Sequence, residues 1–242
     1  MKLSNHAELI PVQMLDERAR VLSPVLLHDE NNLILVDTGF PGMYELFAEA
    51  IAKAGFEAAN LTGLLFTHQD IDHIGSARDF TAKIAGLRTY AHEIEAPYID
   101  GSKPQAKIAA KEAAGGLSEA DKADFAERKK NHAALTLPVD ELLKDGQVLD
   151  ICGGIEIIHI PGHTPGHICL FIKDGGFLLA GDALNLEGDT LLGPSEIHTM
   201  DLPLAKNSLK KLLDKPIKAI VCYHGGLFTG DINKALKAII ES

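Results

Sequence analysis

The heptapeptide Thr67-His68-Gln69-Asp70-Ile71-Asp72-His73 follows an apolar run, Leu61 to Phe66. A buried strand that ends in His-x-Asp-x-Asp-His crowds imidazoles and carboxylates onto one short loop. Hard and borderline divalent cations take that mixture of nitrogen and oxygen ligands. Alone, such a loop is a weak signal. Three later segments supply partners: Pro161-Gly162-His163-Thr164-Pro165-Gly166-His167, Ala180-Gly181-Asp182 and Cys222-Tyr223-His224-Gly225-Gly226. Each sets a His or Asp directly after an apolar run, where a strand should end.

The elements that must position these groups can be read along the chain. Val21 to Leu27 and Leu33 to Val36 flank His28-Asp29-Glu30-Asn31-Asn32 and predict a β-hairpin, stopped by Asp37-Thr38-Gly39. Tyr44 to Ala54 has helical spacing, with Gly55 as a C-terminal cap. Leu61 to Phe66 is the next strand, Ser76 to Ala85 a short helix ended by Gly86, and Arg88 to Ala91 a strand closing on His92. From Lys103 to Ala134 the chain is rich in Ala, Lys and Glu. It predicts two amphipathic helices, the second capped by Ser118 with Asp121 three residues on. This helical insert, at about residues 93–140, lies between two ligand loops, so it either covers the site or forms an ordinary surface pair. Gln147 to Ile151, Ile155 to Ile160, Ile168 to Ile172 and Phe177 to Leu179 read as strands between glycine turns. A helix over Leu202 to Leu213, a strand over Ala219 to Cys222 and a helix over Asn233 to Ile240 complete the chain. Strands and helices alternate in two similar halves with no low-complexity linker, and the length fits one large domain or two small ones.

Composition narrows the partners. Apolar residues make up 46% of the 242, as in a globular protein. Against 34 acidic residues stand 23 Lys and Arg, a net charge of −11 that repels nucleic acid and anionic membranes. There is no Trp to stack on bases. No apolar run is long enough to span a membrane. Asn5, His6 and Glu8 interrupt the N-terminus where a secretion signal needs an apolar core, so a cytoplasmic location is expected. Cys152, Cys169 and Cys222 are odd in number and strand-like in setting, which predicts buried thiols in a reducing compartment. None lies in a CxxC pair.

Taken together, Val36-Asp37-Thr38-Gly39, the loop His68 to His73, His163 in Gly-His-Thr-Pro-Gly-His, Asp182 in Gly-Asp and His224 in His-Gly-Gly resemble the metallo-β-lactamase superfamily in order and spacing. The resemblance spans nearly the whole chain and implies a single domain over residues 1–242. It implies an α/β fold: a four-layer αββα sandwich of two mixed β-sheets with helices outside. It also implies two divalent metal ions at the strand ends, zinc foremost. The first ion would bind His68, residue 70 and His163; the second would bind Asp72, His73 and His224; Asp182 would bridge them. Seven such residues in family order outweigh the reading of each one singly as a turn or cap residue. His167 and Asp37 are candidates to orient these ligands from behind, and each could instead simply serve its own turn.

Hydrolases of the superfamily usually carry His where this chain has Asp70. A third carboxylate removes one positive charge from the site, so a carbonyl is polarised less and a bound water acidified less. It also shifts preference toward manganese or iron. Because Asp is shorter than His, Asp70 is expected to need an inward move of its loop, or a water, to reach an ion, which would leave the first site weak or empty. One superfamily branch, the flavodiiron oxidoreductases, has Glu there, usually beside a flavodoxin-like domain that this chain is too short to hold.

The expected activity is metal-dependent hydrolysis of an ester-like bond in a small molecule, a lactone, thioester or relative, by a metal-bound hydroxide, with Asp72 or Asp182 handling the proton. Metallo-lactonases carry Tyr three residues after the bridging Asp; here Asn185 stands there, with Tyr90, Tyr98 and Tyr223 as substitute candidates. The alternatives are a non-haem diiron oxidoreductase and a non-catalytic metal-binding module. His6, His28, His132, His159 and His198 read as surface or packing residues, and His92 as a residue near the pocket. An apolar helix face in the insert offers a surface for a homodimer.

Overall fold

A computed structural model describes residues 1–14, 20–116 and 118–242. The strands in chain order are β1 (Ala7–Leu9), β2 (Val12–Gln13), β3 (Val21–Leu22), β4 (Val25–His28), β5 (Leu33–Val36), β6 (Gly63–Leu65), β7 (Arg88–His92) and β8 (Glu141–Leu143). The second half contributes β9 (Val148–Leu149), β10 (Ile155–His159), β11 (Ile168–Ile172), β12 (Phe177–Leu179), β13 (Asn185–Glu187), β14 (Thr190–Leu192), β15 (Ala219–Cys222) and β16 (Gly226–Phe228). The helices are α1 (Tyr44–Lys53), α2 (Ile71–Ile74), α3 (Ala77–Lys83), α4 (Ala96–Ile99), α5 (Ala106–Ala114), α6 (Glu119–Leu135), α7 (Leu202–Ser208) and α8 (Ile232–Glu241).

Two six-stranded sheets form among the described residues, in the orders β1-β4-β5-β6-β7-β8 and β16-β15-β12-β11-β10-β9. Both are mixed: β5 to β8 run parallel beside an antiparallel edge, and the β12–β15 pair is parallel within an otherwise antiparallel sheet. Side-chain alternation sorts the strands into layers. Val25, Leu27, Ile34 and Val36 face Ile155, Ile157, Leu170 and Leu179 across the middle of the molecule. Leu26, Leu35 and Leu64 turn the other way, onto Phe47 and Ile51 of α1 and Phe80 of α3. On the far side, Phe171, Leu178 and Ile220 pack against Leu209, Leu212, Leu236 and Ile239. This is the expected αββα sandwich. No helix of the described residues is long and apolar enough to cross a membrane.

Several element boundaries differ from the expectation. The run Val21 to Leu27 is two strands, because Pro24 has no N–H to give a ladder and the chain changes partner there: β3 pairs with β2, while β4 pairs with β1 and β5. The predicted strand Gln147 to Ile151 shrinks to β9, since Cys152, Gly153 and Gly154 all take positive φ and turn the chain. The helix expected to Leu213 is α-helical only to Ser208 and continues as a 3-10 turn over Leu209–Leu212. In the insert, Ser118 and Asp121 form the reciprocal capping box at the start of α6. Leu117 of that predicted helical pair lies outside the described residues. The three cysteines are free and buried, and burial pushes the Cys152 and Cys222 thiols up to about 12.

The parallel segments matter for function. The carboxyl ends of β5 and β6 release Asp37 and the 67–73 loop at one edge, and those of β12 and β15 release Asp182 and His224. Open α/β sheets place ligand sites outside such strand ends.

Candidate metal centre

Seven side chains from four segments meet at this edge. His68, Asp70, His163 and Asp182 form one donor group and Asp72, His73 and His224 another, the donor atoms within each lying within 4.8 Å of one another. Asp182 faces both: Oδ2 is 3.4 Å from His163 Nε2 and 4.0 Å from His68 Nε2, while Oδ1 is 3.2 Å from His73 Nε2 and 3.5 Å from His224 Nε2. His224 Nε2 is also 3.1 Å from Asp72 Oδ2. Asp72 and His73 sit on the single turn of α2 rather than on an open loop. Asp70 Oδ2 lies 3.0 Å from His163 Nε2 and 3.4 Å from His68 Nε2. The extended backbone at Asp70, just before α2, turns its carboxylate toward these nitrogens, so that it lies within its donor group.

The donor atoms fit a cation. His68 Nε2, His73 Nε2, Asp70 Oδ1 and Asp182 Oδ1 are buried without a hydrogen-bond partner. Such groups cost free energy unless something coordinates them. Electrostatics agree. Burial would lower the pKa of His73, but the carboxylates of Asp37, Asp182 and Asp72 raise it well above the ordinary imidazole value, so positive charge is favoured there. Burial would raise Asp182, but His73, His163 and His224 hold it well below the usual carboxylate range. His68, buried and next to His73, is lowered to about 4 and stays neutral, as a ligand must.

A set of buried contacts aims these ligands. Asp37, at φ 61, accepts from Thr67 N at 2.9 Å and Thr67 Oγ1 at 2.8 Å and lies 2.8 Å from His73 Nδ1. A carboxylate can only accept, so His73 Nδ1 carries its proton there and Nε2 is free to ligate. Thr67 Oγ1 is 3.0 Å from His68 Nδ1, and Thr199 Oγ1 is 3.2 Å from His163 Nδ1. His167, expected behind the ligands, accepts from Asp182 N at 3.0 Å and so fixes the Asp182 backbone.

Tyr223 and Asn185, the two further candidates, both bond within the chain. Tyr223 is buried; its hydroxyl accepts from Gly39 N at 3.1 Å and donates to Asp72 O at 2.9 Å. It braces the loop and has no proton left for a substrate. Asn185 opens β13, and its Nδ2 donates to Gly193 O at 3.2 Å, holding the β13–β14 ribbon together. His92 stacks on His159 with centroids 4.3 Å apart and stands outside both donor groups.

Sequence reasoning missed Gln69, Glu95 and Lys107. Glu95 is fully buried and accepts from Gln69 N, Gln69 Nε2 and Gly166 N at 2.9, 3.0 and 2.7 Å, tying the two histidine loops together. Gln69 Oε1 in turn accepts from Ala106 N at 2.8 Å, which docks α5 on the site. Lys107 of α5 bonds Asp70 Oδ2 and lies 3.0 Å from His163 Nε2. A lysine in an Ala- and Lys-rich helix carries no local mark of such a role.

An αββα sandwich with His and Asp donors at its strand ends defines a class of metallo-hydrolases. The family model of the metallo-beta-lactamase superfamily matches residues 21–224, and the chain belongs to that superfamily. It is similar to the probable metallo-hydrolase YflN of Bacillus subtilis, at 29% identity over 215 residues, covering 84% of this chain and 78% of that one. Similarity to the hydroxyacylglutathione hydrolase GloC of Haemophilus influenzae is 27% over 216 residues, covering 81% and 84%. A metallo-beta-lactamase family protein of Thermus thermophilus shares the fold, with a TM-score of 0.72 at 24% identity over 99% of this chain and 80% of that one.

Proposed function

We propose that this metallo-hydrolase cleaves an ester-like bond in a small molecule, with acyl thioesters the first class to test and lactones next. The observation that carries the reading is the position of Asp182, one oxygen toward each donor group, among buried imidazole nitrogens that lack partners. The relatives named hydroxyacylglutathione hydrolase support the thioester class.

Of the two ions the resemblance implies, Asp72, His73, His224 and Asp182 would hold one; the residues that would hold the other, His68, Asp70 and His163 with Asp182, are also those that the Lys107 ammonium approaches. Zinc suits the imidazole share, and Asp70 makes manganese or iron admissible. A bound divalent ion supplies a water acidic enough to give hydroxide near neutral pH. The chain's own residues do the rest. Asp72 or Asp182 would take the proton that such a water gives up. Asp72 or Asp182 would then hand a proton to the leaving sulfur or oxygen. Asp37, Thr67 and Thr199 keep the imidazoles in register while this happens.

The test is turnover of a panel of thioesters, lactones and phosphoesters by metal-reconstituted protein and by Asp182→Ala. Hydrolysis by the first and none by the second supports the reading; full activity in Asp182→Ala overturns it. Asp70 also favours a second reading, a non-haem diiron oxidoreductase. Purified protein that holds only zinc and shows no redox-dependent absorbance removes that one.

A further inference from the structure

Lys107 enters the first donor group. Its ammonium bonds Asp70 Oδ2 and lies 3.0 Å from His163 Nε2, and Asp70 Oδ2 is itself 3.0 Å from that nitrogen and 3.4 Å from His68 Nε2. The charge therefore sits where the three donors of the first position converge. Its approach is built into the fold. Glu95 holds Gln69, Gln69 Oε1 accepts from Ala106 N, and Lys107 is the next residue on the helix. Gln105 caps the same helix by accepting from Ile108 N at 2.9 Å.

An ammonium and a divalent ion cannot share these donors. A ligated zinc stands about 2.0–2.2 Å from nitrogen and oxygen ligands, and two cations at that spacing repel strongly in a buried site. The departure at position 70 is consistent with the exchange. Where a neutral His would serve an ion, an anionic Asp serves a lysine, and the pair is neutral within the chain.

We propose that Lys107 fills the first metal position as a tethered cation, so that the chain carries a single divalent ion, on Asp72, His73, His224 and Asp182. Two N–H groups of the ammonium are engaged by Asp70 and His163; the third is free for a substrate oxygen, and the side chain is 19% exposed. Lys107 would then hold the negative charge that develops on the scissile carbonyl oxygen. This inference rests on the metallo-hydrolase reading but can fail separately from it.

The experiment is elemental analysis of protein stripped with chelator, reloaded with excess zinc and desalted, for the unmodified chain, Lys107→Met and the double variant Asp70→His with Lys107→Met. Methionine keeps the length and apolar stem of lysine without its charge. The expected result is about one zinc per unmodified chain and about two per double variant, whose donors are the usual set. Should the double variant fail to fold, Lys107→Met alone must gain the second zinc. Two zincs in the unmodified chain, or only one in every folded variant, overturns the proposal and leaves the hydrolase reading standing. No zinc in any of the three overturns both.

Discussion

Asp37→Asn isolates the contribution of the contacts behind the ligands. Asp37 Oδ1 accepts from the Thr67 backbone N–H, a donor that cannot reverse its role, so the Asn oxygen must take that position. The Asn Nδ2 then replaces Oδ2 and faces Thr67 Oγ1 and His73 Nδ1. Thr67 Oγ1 can accept. His73 Nδ1 must also become an acceptor, which moves the imidazole proton to Nε2, the atom that should bind metal. The positive φ of Asp37 is as accessible to Asn, so the backbone is not strained. Loss of such an orienting contact weakens metal affinity by about 10- to 100-fold, roughly 1.4–2.8 kcal/mol. The assay is competition for zinc against a chromophoric chelator, with thermal unfolding of the metal-free protein as the control for folding. A folded Asp37→Asn protein that binds zinc as tightly as the unmodified chain would refute the tautomer argument.

Other outcomes follow from the same contacts. Glu95→Gln presents an amide N–H₂ to either Gln69 or Gly166, whose groups facing Glu95 are all donors; the unfulfilled donor should cost about 1–3 kcal/mol, read as a lower urea midpoint. His92 is held at about 4 by burial first and by the charge of His159 second, against 6.5 in an unfolded chain. The unfolded chain therefore binds the extra proton first, so stability should fall as pH drops from 6.5 to about 4 and level off below; His92→Phe should flatten that part of a urea-stability profile. Gly225, next to His224, has φ 110, and a Cβ there would overlap Leu186 O. Gly225→Ala should destabilise by roughly 1–3 kcal/mol in thermal melts and weaken metal binding; an unchanged melt would show that the turn is not constrained.

The seven donors were legible because their signal is local. Each is a His or Asp at or soon after the end of a short apolar run bounded by turn residues, the pattern of a buried strand that opens at the sheet edge. The sandwich was legible for the same reason, through alternation that puts Val25 and Leu27 on one face and Leu26 on the other. Local rules failed where a neighbour in space decided. Pro24 split a strand because its partner changes there, and Tyr223 looked free until its hydroxyl met Gly39, 184 residues away in sequence.

The sequence by itself determined the kind of chemistry, because ligand atoms and strand ends are properties of residue type and short spacing. Only the tertiary structure decided how that chemistry is tuned. Which imidazole nitrogen is free depends on Asp37, Thr67 and Thr199, and which cation reaches Asp70 depends on where α5 docks. Apart from Thr67 and its neighbour His68, those contacts join groups 30 or more residues apart, and a hydrogen bond across that separation leaves no periodicity in the chain from which it could be read.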